Sequence, residues 1–471
     1  MAHGVARIAS LSLVAVASLA AIASLGCSKS LSPDGTAPET IAIDGSAPRE
    51  VTTLYGQNYW CWNKLGNNVP EAQPFAASLR LDILRAGGYC NDAEKSSMTY
   101  GTDPFDHAQI DRFVAYCKSV GAEPILQVPL LNNYMKHKRP ARAYAADAAD
   151  MVTYANVTKR YGIKYWEIGN EPDLYPEPNS GVKDLPAYTA SQFCEDFNEF
   201  SKAMKAVDPT IKILGPELCW KYYPNEPEGS ANDWLTPFLR ACKGNYDIVT
   251  VHRYPYPPDQ CTIDNVMNDP QKFSATITAI KDLARSLSPG IPVAVTEANV
   301  TWDGTPKKSV YQASPQTIYA ALWVADTLCI AREQGLWGMC YWSLSEIWTL
   351  GFVEPYSWKP RPEYYGYQLV SNNLGATAYA VTAPSGVSAY AGRSRANDAT
   401  AVIVINKTAT DRVNRFTFVG INGKPKDNFT ASFPAYSVSA VLFPDGGKAP
   451  IVYRYTAAEA KVFLPPKKAR R

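Results

Sequence analysis

Histidine is scarce, with four in 471 residues, and none sits in a cluster with ligand-like spacing. A histidine-built metal centre is therefore not expected, and no metal or cofactor is assigned. The ten cysteines are scattered, with no Cys-x-x-Cys pair, so the common zinc and redox dithiol spacings are missing as well. No Gly-x-Gly-x-x-Gly and no phosphate-binding P-loop occurs, which removes the usual dinucleotide and nucleotide signatures. Charge of one sign is also lacking. Lys and Arg number 46 against 44 Asp and Glu, a net charge of +2, so no strong field points to nucleic acid or an acidic partner. No long repeat is visible, and no low-complexity tract interrupts the middle of the chain.

What remains is a globular composition, 46% hydrophobic and 19% charged, long enough for one large domain and a smaller one. Aromatic residues make up 12%, a content that suits a surface stacking sugar rings as well as an ordinary core. At the N-terminus Arg7 precedes an apolar run, Ile8 to Leu25, and then Gly26-Cys27. This is a signal-peptide pattern over residues 1–27. Leu25-Gly26-Cys27 resembles the end of a bacterial lipobox, although Ser24 stands where Leu is usual. The resemblance implies export and a lipid anchor at the outer membrane or cell surface. Cleavage nearby with free secretion, or a short membrane anchor, are the alternatives. Residues 28–46, rich in Ser, Pro, Gly and Asp, read as a flexible tether. With Cys27 set aside nine cysteines remain, an odd number, so at least one thiol is unpaired within the chain. In an exported protein some pairing is expected, for instance near Cys61 and Cys90.

From residue 47 to 372 strand-like runs alternate with helix-like ones. The strands are read at 51–59, 83–88, 123–128, 164–168, 211–215, 248–252, 291–297 and 338–342. Helices are read at 71–81, 106–120, 141–161, 187–207, 233–243, 271–287 and 315–334. Eight such units predict an α/β fold, a (β/α)8 TIM barrel. An open doubly wound sheet is the alternative, but it calls for the glycine-rich loop that is missing. Residues 373–446 change to short alternating segments, Ser388–Ala391, Ala401–Ile405 and Ser437–Leu442, which read as an antiparallel β-sandwich. Residues 447–471, ending Lys467-Lys-Ala-Arg-Arg471, read as a mobile, solvated tail.

Two of the barrel runs close on a glutamate. Lys164-Tyr-Trp-Glu-Ile-Gly-Asn-Glu-Pro leads to Glu171, and Ile291-Pro-Val-Ala-Val-Thr-Glu leads to Glu297. The C-terminal ends of barrel strands share one mouth, so these carboxyls are expected to meet there. A pair of facing carboxyls is what hydrolysis of a glycosidic bond requires. Here the chain resembles glycoside hydrolase clan A. Asn170-Glu171-Pro172 after a fourth strand matches that clan's acid/base, and Thr296-Glu297 after a seventh its nucleophile. The local style of Ile-Gly-Asn-Glu-Pro-Asp-Leu-Tyr is similar to heparanase-like β-glucuronidases. The β-xylosidase, arabinofuranosidase and endoglucanase/xyloglucanase families are also near.

The resemblance implies a retaining hydrolase of β-linked or α-L-arabinofuranosyl bonds in a polysaccharide or oligosaccharide. Glu171 would be acid/base and Glu297 nucleophile. Asn170 would meet the sugar 2-hydroxyl, Arg85 would support Glu297, and His252 and Tyr254 would touch the nucleophile or the sugar. Trp342 would be a stacking platform. Gln57, Asn58, Asn132 and Asn133 follow strands and are further candidate contacts. Glu217 and Glu346 are rival carboxylates, expected to bind hydroxyls or face solvent. A monomer is expected. The other readings are a non-catalytic carbohydrate-binding lipoprotein on a degenerate barrel, and a surface scaffold or adhesin.

Overall fold

Side chains alternate faces along a strand, so every second residue of a barrel strand points inward. Following that step from the start of each strand gives the same progression. Ile83 leads to Arg85, Ile125 to Gln127, Tyr165 to Glu167, and Ile248 to Thr250 and His252. The starts are apolar and the ends polar. Ile83, Ile125, Leu214, Ile248, Ala294 and Cys340 pack together as a plug, and the polar groups lie above it.

A computed structural model describes residues 37–59, 71–92, 107–131, 145–175, 188–304, 312–346, 348–421 and 428–469. The first strand, β1 (Glu39–Glu50), lies outside the barrel. The barrel strands are β2 (Leu54–Tyr59), β3 (Ile83–Ala86), β4 (Glu123–Val128), β5 (Tyr165–Ile168), β6 (Lys212–Leu218), β7 (Ile248–Arg253), β8 (Val293–Ala298) and β9 (Gly338–Tyr341). They pair in parallel, in chain order, and β9 closes on β2. The predicted (β/α)8 barrel is therefore the observed one. Closure is tight at the plug: a Cβ on Gly56 would sit 2.4 Å from Cys340 Sγ and 2.8 Å from Ile83 Cγ1. Two strands carry register shifts on the same side of the barrel, one between Pro216 and Leu218, the other between Val251 and His252. Such bulges re-aim side chains, here Glu217 and His252, toward the mouth.

A short hairpin, β10 (Val353–Glu354) and β11 (Lys359–Pro360), follows the barrel. The second unit contains β12 (Leu374–Thr382), β13 (Val387–Ser394), β14 (Ala399–Asn406), β15 (Arg412–Val419), β16 (Thr430–Phe433), β17 (Ser437–Pro444), β18 (Ile451–Tyr455) and β19 (Lys467–Lys468). They form one sheet with β1, in the order β16-β15-β1-β12-β13-β14-β17-β18-β19. The sheet curls over its own core of Ile41, Ile43, Phe416, Phe418, Val402, Val404, Val441 and Phe443. One of its pairs, β1 with β15, is parallel.

Two boundary expectations are corrected. The tether over residues 28–46 does not extend to its predicted end, because Glu39–Glu50 is a strand between β12 and β15. Ile41 and Ile43, two residues apart, are its buried face, and surrounding Ser, Pro and Asp masked that alternation. The tail after residue 446 is not mobile over residues 451–469. It adds β18, the helix Ala457–Lys461 and β19, and it buries Val452 and Tyr455. The signal-peptide segment, Cys27, Cys61, and Asn132 and Asn133 lie outside the described residues, as does the side chain of Cys90. The seven described cysteines are all free thiols.

The helix Ile318–Glu333 is buried on nearly all sides because it lies between the barrel and the curled sheet. Its Asp326 is fully buried. It accepts from Tyr390 Oη at 2.5 Å, Ser388 Oγ at 3.1 Å and Lys407 Nζ at 2.9 Å. Removing one partner of such a pair leaves a buried charge, at a cost of about 3 kcal/mol. Asp326→Ala should therefore lower the calorimetric unfolding temperature by several degrees. Asp326→Asn, which keeps an acceptor for the hydroxyls, should lower it less.

Candidate active site

The polar layer above the plug is built around Arg85, which is fully buried. Its Nε donates to Glu167 at 2.5 Å. Its Nη1 donates to Asn58 Oδ1 at 2.8 Å and to Glu297 Oε1 at 2.6 Å. Its Nη2 donates to Asn170 Oδ1 at 3.0 Å and lies 3.5 Å from Glu217. Burial opposes the guanidinium charge, but Glu167, Glu297 and Glu217 outweigh it and hold the group well above its usual pKa.

Glu171 reaches the mouth through an unusual backbone path. Gly169 ends β5 with φ +76°, and a Cβ there would press on Tyr175 Oη at 3.0 Å and Leu130 at 3.1 Å. Glu171 itself is left-handed, φ +49°, and its N–H donates to the carbonyl of Glu217 at 2.9 Å. Glu217 is left-handed too, φ +57°. Strained conformations of this kind persist where the surroundings over-determine them. Buried Asp92 is one such constraint. It accepts from the N–H groups of Leu130 at 2.7 Å, Leu131 at 3.1 Å and Asn170 at 3.2 Å, and from Tyr175 Oη.

Carboxyl oxygens of Glu171 and Glu297 and a ring nitrogen of His252 all lie within 4.8 Å of one another. The expected meeting of the two glutamates is therefore observed. Glu297 accepts from Arg85 and from Tyr254 Oη at 2.7 Å. Glu171 Oε1 lies 2.9 Å from His252 Nδ1. His252 Nε2 lies 2.9 Å from Glu217 Oε2, which also accepts from Thr296 Oγ1 at 2.6 Å. Burial works against a charged His252, but Glu297 and the hydrogen bonds to Glu171 and Glu217 prevail and raise it to about 10. For Glu217 burial is again the opposing cause. The His252 hydrogen bond and the Arg85 charge overcome it and take the carboxyl down to about 2. Glu167 goes the other way, pushed up to about 8 by burial against the pull of Arg85. Tyr254 is held well above its usual value by burial and by Glu297, so it stays a donor. Among the described residues Glu171, His252 and Glu297 are close enough to hold a cation. Arg85, 2.6 Å from Glu297, already supplies positive charge there.

A cleft of about 650 Å³ opens over the two glutamates. Asn170, Tyr254 and Trp342 line it. Trp342 is held by its Nε1 on Glu346 at 3.2 Å, and its carbonyl accepts from Asn299 Nδ2 at 2.7 Å. Asn58 is placed differently from expectation. It is fully buried behind Arg85 and donates to the carbonyls of Thr296 at 2.9 Å and Tyr341 at 3.2 Å, so it positions the guanidinium and cannot touch substrate. Gln57 is equally buried. Glu217 and Glu346, expected at solvent or on hydroxyls, are both buried structural partners. Sequence reasoning missed Glu167, hidden inside the apolar run of β5, and gave Thr296 no role of its own. It also missed Tyr89, Trp220 and Trp302 at the cleft. Trp220 and Trp302 follow β6 and β8 within four residues, which was the available signal.

The fold and these residues define a class, (β/α)8 barrels with two facing glutamates at the strand ends. The profile of the glycosyl hydrolases family 39 matches residues 101–360, more than half of the chain, and the chain belongs to that family. Among curated proteins it is similar to a β-xylosidase of Geobacillus stearothermophilus, 24% identical over 206 residues, covering 40% of this chain and 36% of that one. It is also similar to an intracellular exo-α-(1→5)-L-arabinofuranosidase of Acetivibrio thermocellus, 25% identical over 188 residues, covering 38% and 32%. A β-glucuronidase of Aspergillus niger matches at 25% over 187 residues, covering 37% and 33%. The chain thus spans about a third of the length of the curated relatives it matches. Among solved structures, a family 44 xyloglucanase of Paenibacillus polymyxa gives a TM-score of 0.63 at 14% identity, over 86% of this chain and 99% of that one. The Thermotoga maritima α-L-arabinofuranosidase gives 0.62 at 16%, over 91% and 95%. At these identities the likeness is one of fold.

The raised groups fix a pH dependence of stability. Glu167 moves from 4.5 unfolded to about 8 folded, and His252 from 6.5 to about 10. Each binds its proton more tightly when folded, so each stabilises below its unfolded value and loses that contribution as pH rises through its folded one. The unfolding temperature should fall progressively from pH 5 to pH 10. Glu167→Gln, which keeps an acceptor for Arg85 Nε, should flatten the part of the profile between pH 5 and 8.

Proposed function

We propose that the chain is a retaining glycoside hydrolase of β-linked or α-L-arabinofuranosyl bonds, acting on an oligosaccharide or polysaccharide. One observation carries the reading: oxygens of Glu171 and Glu297 approach within 4.8 Å. Retaining pairs stand about 5–5.5 Å apart, whereas inverting pairs stand about 6.5–9.5 Å apart to admit a water. Glu171 gives its proton to the leaving oxygen while Glu297 attacks the anomeric carbon, forming a glycosyl ester. Glu171 then takes a proton from water, which displaces Glu297. The donor sets suit these duties. Arg85 and Tyr254 stabilise the carboxylate of Glu297 when it leaves. His252, bonded to Glu171 Oε1, fixes the orientation of that carboxyl at the cleft. Arg85 occupies Asn170 Oδ1, which makes Nδ2 the donor for a sugar 2-hydroxyl. The N-terminal apolar run and Cys27 support export and a lipid anchor.

The names of the relatives select the first probes: aryl β-D-xylopyranosides, α-L-arabinofuranosides and β-D-glucuronides, followed by polysaccharides with product size as readout. On the substrate turned over, Glu297→Ala should lose at least about a thousandfold in kcat. Azide should then restore turnover of an activated substrate with inverted configuration. Glu171→Ala should slow poor leaving groups by about 10²–10⁴-fold and spare activated ones, as loss of a general acid does. Binding of sugars without any turnover would favour the degenerate-barrel reading.

A further inference from the structure

The loop after β6 carries Trp220, which is 49% exposed while it lines the cleft beside Glu171, Leu174 and Cys219. An exposed aromatic on a surface is unremarkable alone. This one stands on a backbone fixed from both ends. The carboxylate of Asp173, fully buried, accepts from the N–H groups of Cys219 at 3.0 Å, Trp220 at 2.9 Å and Lys221 at 2.9 Å. The carbonyl of Trp220 accepts from the Tyr222 N–H at 2.8 Å and from Asn225 Nδ2 at 3.1 Å. Charge-assisted bonds of this kind are the strong ones, and three converge on a single carboxylate. Asp173 lies two residues after Glu171, in the turn Pro172–Leu174. The N–H of Glu171 is tied in turn to the carbonyl of Glu217 on β6. The acid and the indole are therefore parts of one rigid unit.

We propose that Trp220 is the platform on which the departing part of the substrate stacks, and that Asp173 is the positioning residue that aligns it with the acid. The inference rests on the retaining reading above. A general acid delivers its proton to the leaving oxygen, so side chains on its flank meet the leaving group. Trp342 also lines the cleft, at the end of β9 beside the nucleophile's strand β8, and in this reading is left to the ring that is attacked. The ligand at Trp220 is a ring with an apolar face, a pyranose unit or an aromatic alcohol. The same site receives an acceptor in the second half-reaction. There the acceptor hydroxyl gives its proton to Glu171, its oxygen bonds to the anomeric carbon, and the ester bond to Glu297 breaks.

The test compares a substrate with a leaving-group ring and one without. β-D-xylopyranosyl fluoride and xylobiose form such a pair, or the arabinofuranosyl equivalents if that glycone is the one turned over. In Trp220→Ala the loss of kcat/KM on the disaccharide should exceed the loss on the fluoride by about tenfold, the scale of one ring contact. The ratio of transfer product to hydrolysis with added xylose acceptor should fall in parallel. Trp220→Phe should recover most of both, and Asp173→Asn should shift both in the direction of Trp220→Ala with the ring still present. Equal losses on the two substrates, or an unchanged transfer ratio in Trp220→Ala, would overturn the platform. If the wild type hydrolyses none of the xylosyl, arabinofuranosyl and glucuronosyl fluorides, the glycosidase reading itself is overturned, which is a distinct result.

Discussion

A single buried cation holds five strand ends together. Arg85, on β3, touches Asn58 of β2, Glu167 and Asn170 at β5, Glu217 of β6 and Glu297 of β8. Taking an ion out of water costs several kcal/mol unless partners repay it, and a carboxylate without a cation fares no better. Three buried glutamates can share the inside of one barrel only because a planar guanidinium with five donors sits among them. The apolar plug below makes the constraint stricter. It seals one end of the barrel, so water can reach this layer only from the mouth.

Charge balance then assigns states to the neighbours. Glu167, pushed up by burial, is the group that gives way near neutral pH, and Glu217, held down by His252 and Arg85, is the one that stays ionised. A charged His252 donates from both ring nitrogens, toward Glu217 and toward Glu171. The two glutamates at the cleft thereby differ in kind of support. Glu297 leans on a guanidinium and a phenol, and Glu171 leans on an imidazolium. Chemically similar side chains thus stand in unlike surroundings.

The barrel was legible because its strands are apolar runs with abrupt ends, and those ends carry the chemistry. Glu171, Glu297, Arg85, His252 and Tyr254 all stand at or next to such ends. Glu167 was not legible, since a carboxyl within Tyr-Trp-Glu-Ile reads as an interruption until the inward step from Tyr165 is counted. Asn58 was found but given the wrong duty, because sequence cannot tell a strand end that faces the cleft from one that faces its neighbours. Asp92 and Asp173 were illegible for a related reason. Their partners are backbone N–H groups of loops 38 to 78 and 46 to 48 residues away, respectively, and backbone groups leave no trace in a sequence. The error at the tether has a physical cause: Ile41 and Ile43 pair with strands that are remote in the chain, so their local Ser, Pro and Asp neighbours dominated the reading.

The curled sheet is connected to the site by contacts rather than by proximity. Lys407 and Tyr390 of the sheet grip Asp326 on the helix Ile318–Glu333. Three residues earlier on that helix, Trp323 donates through Nε1 to Asp269 at 2.8 Å, and Asp269 accepts from Arg253 at 2.5 Å. Arg253 adjoins His252 on β7. The helix also takes the hydroxyl of Tyr341, next to Trp342, on Thr327 at 2.8 Å. The two strand ends supplying His252 and Trp342 are thus braced from behind by a helix that the sheet covers. A mouth carrying left-handed backbone at Glu171 and Glu217 needs such bracing, because strained segments hold their shape only when the packing around them leaves no alternative. The accessory domain contributes no residue to the cleft among those described, yet it fixes the layer from which the cleft is made.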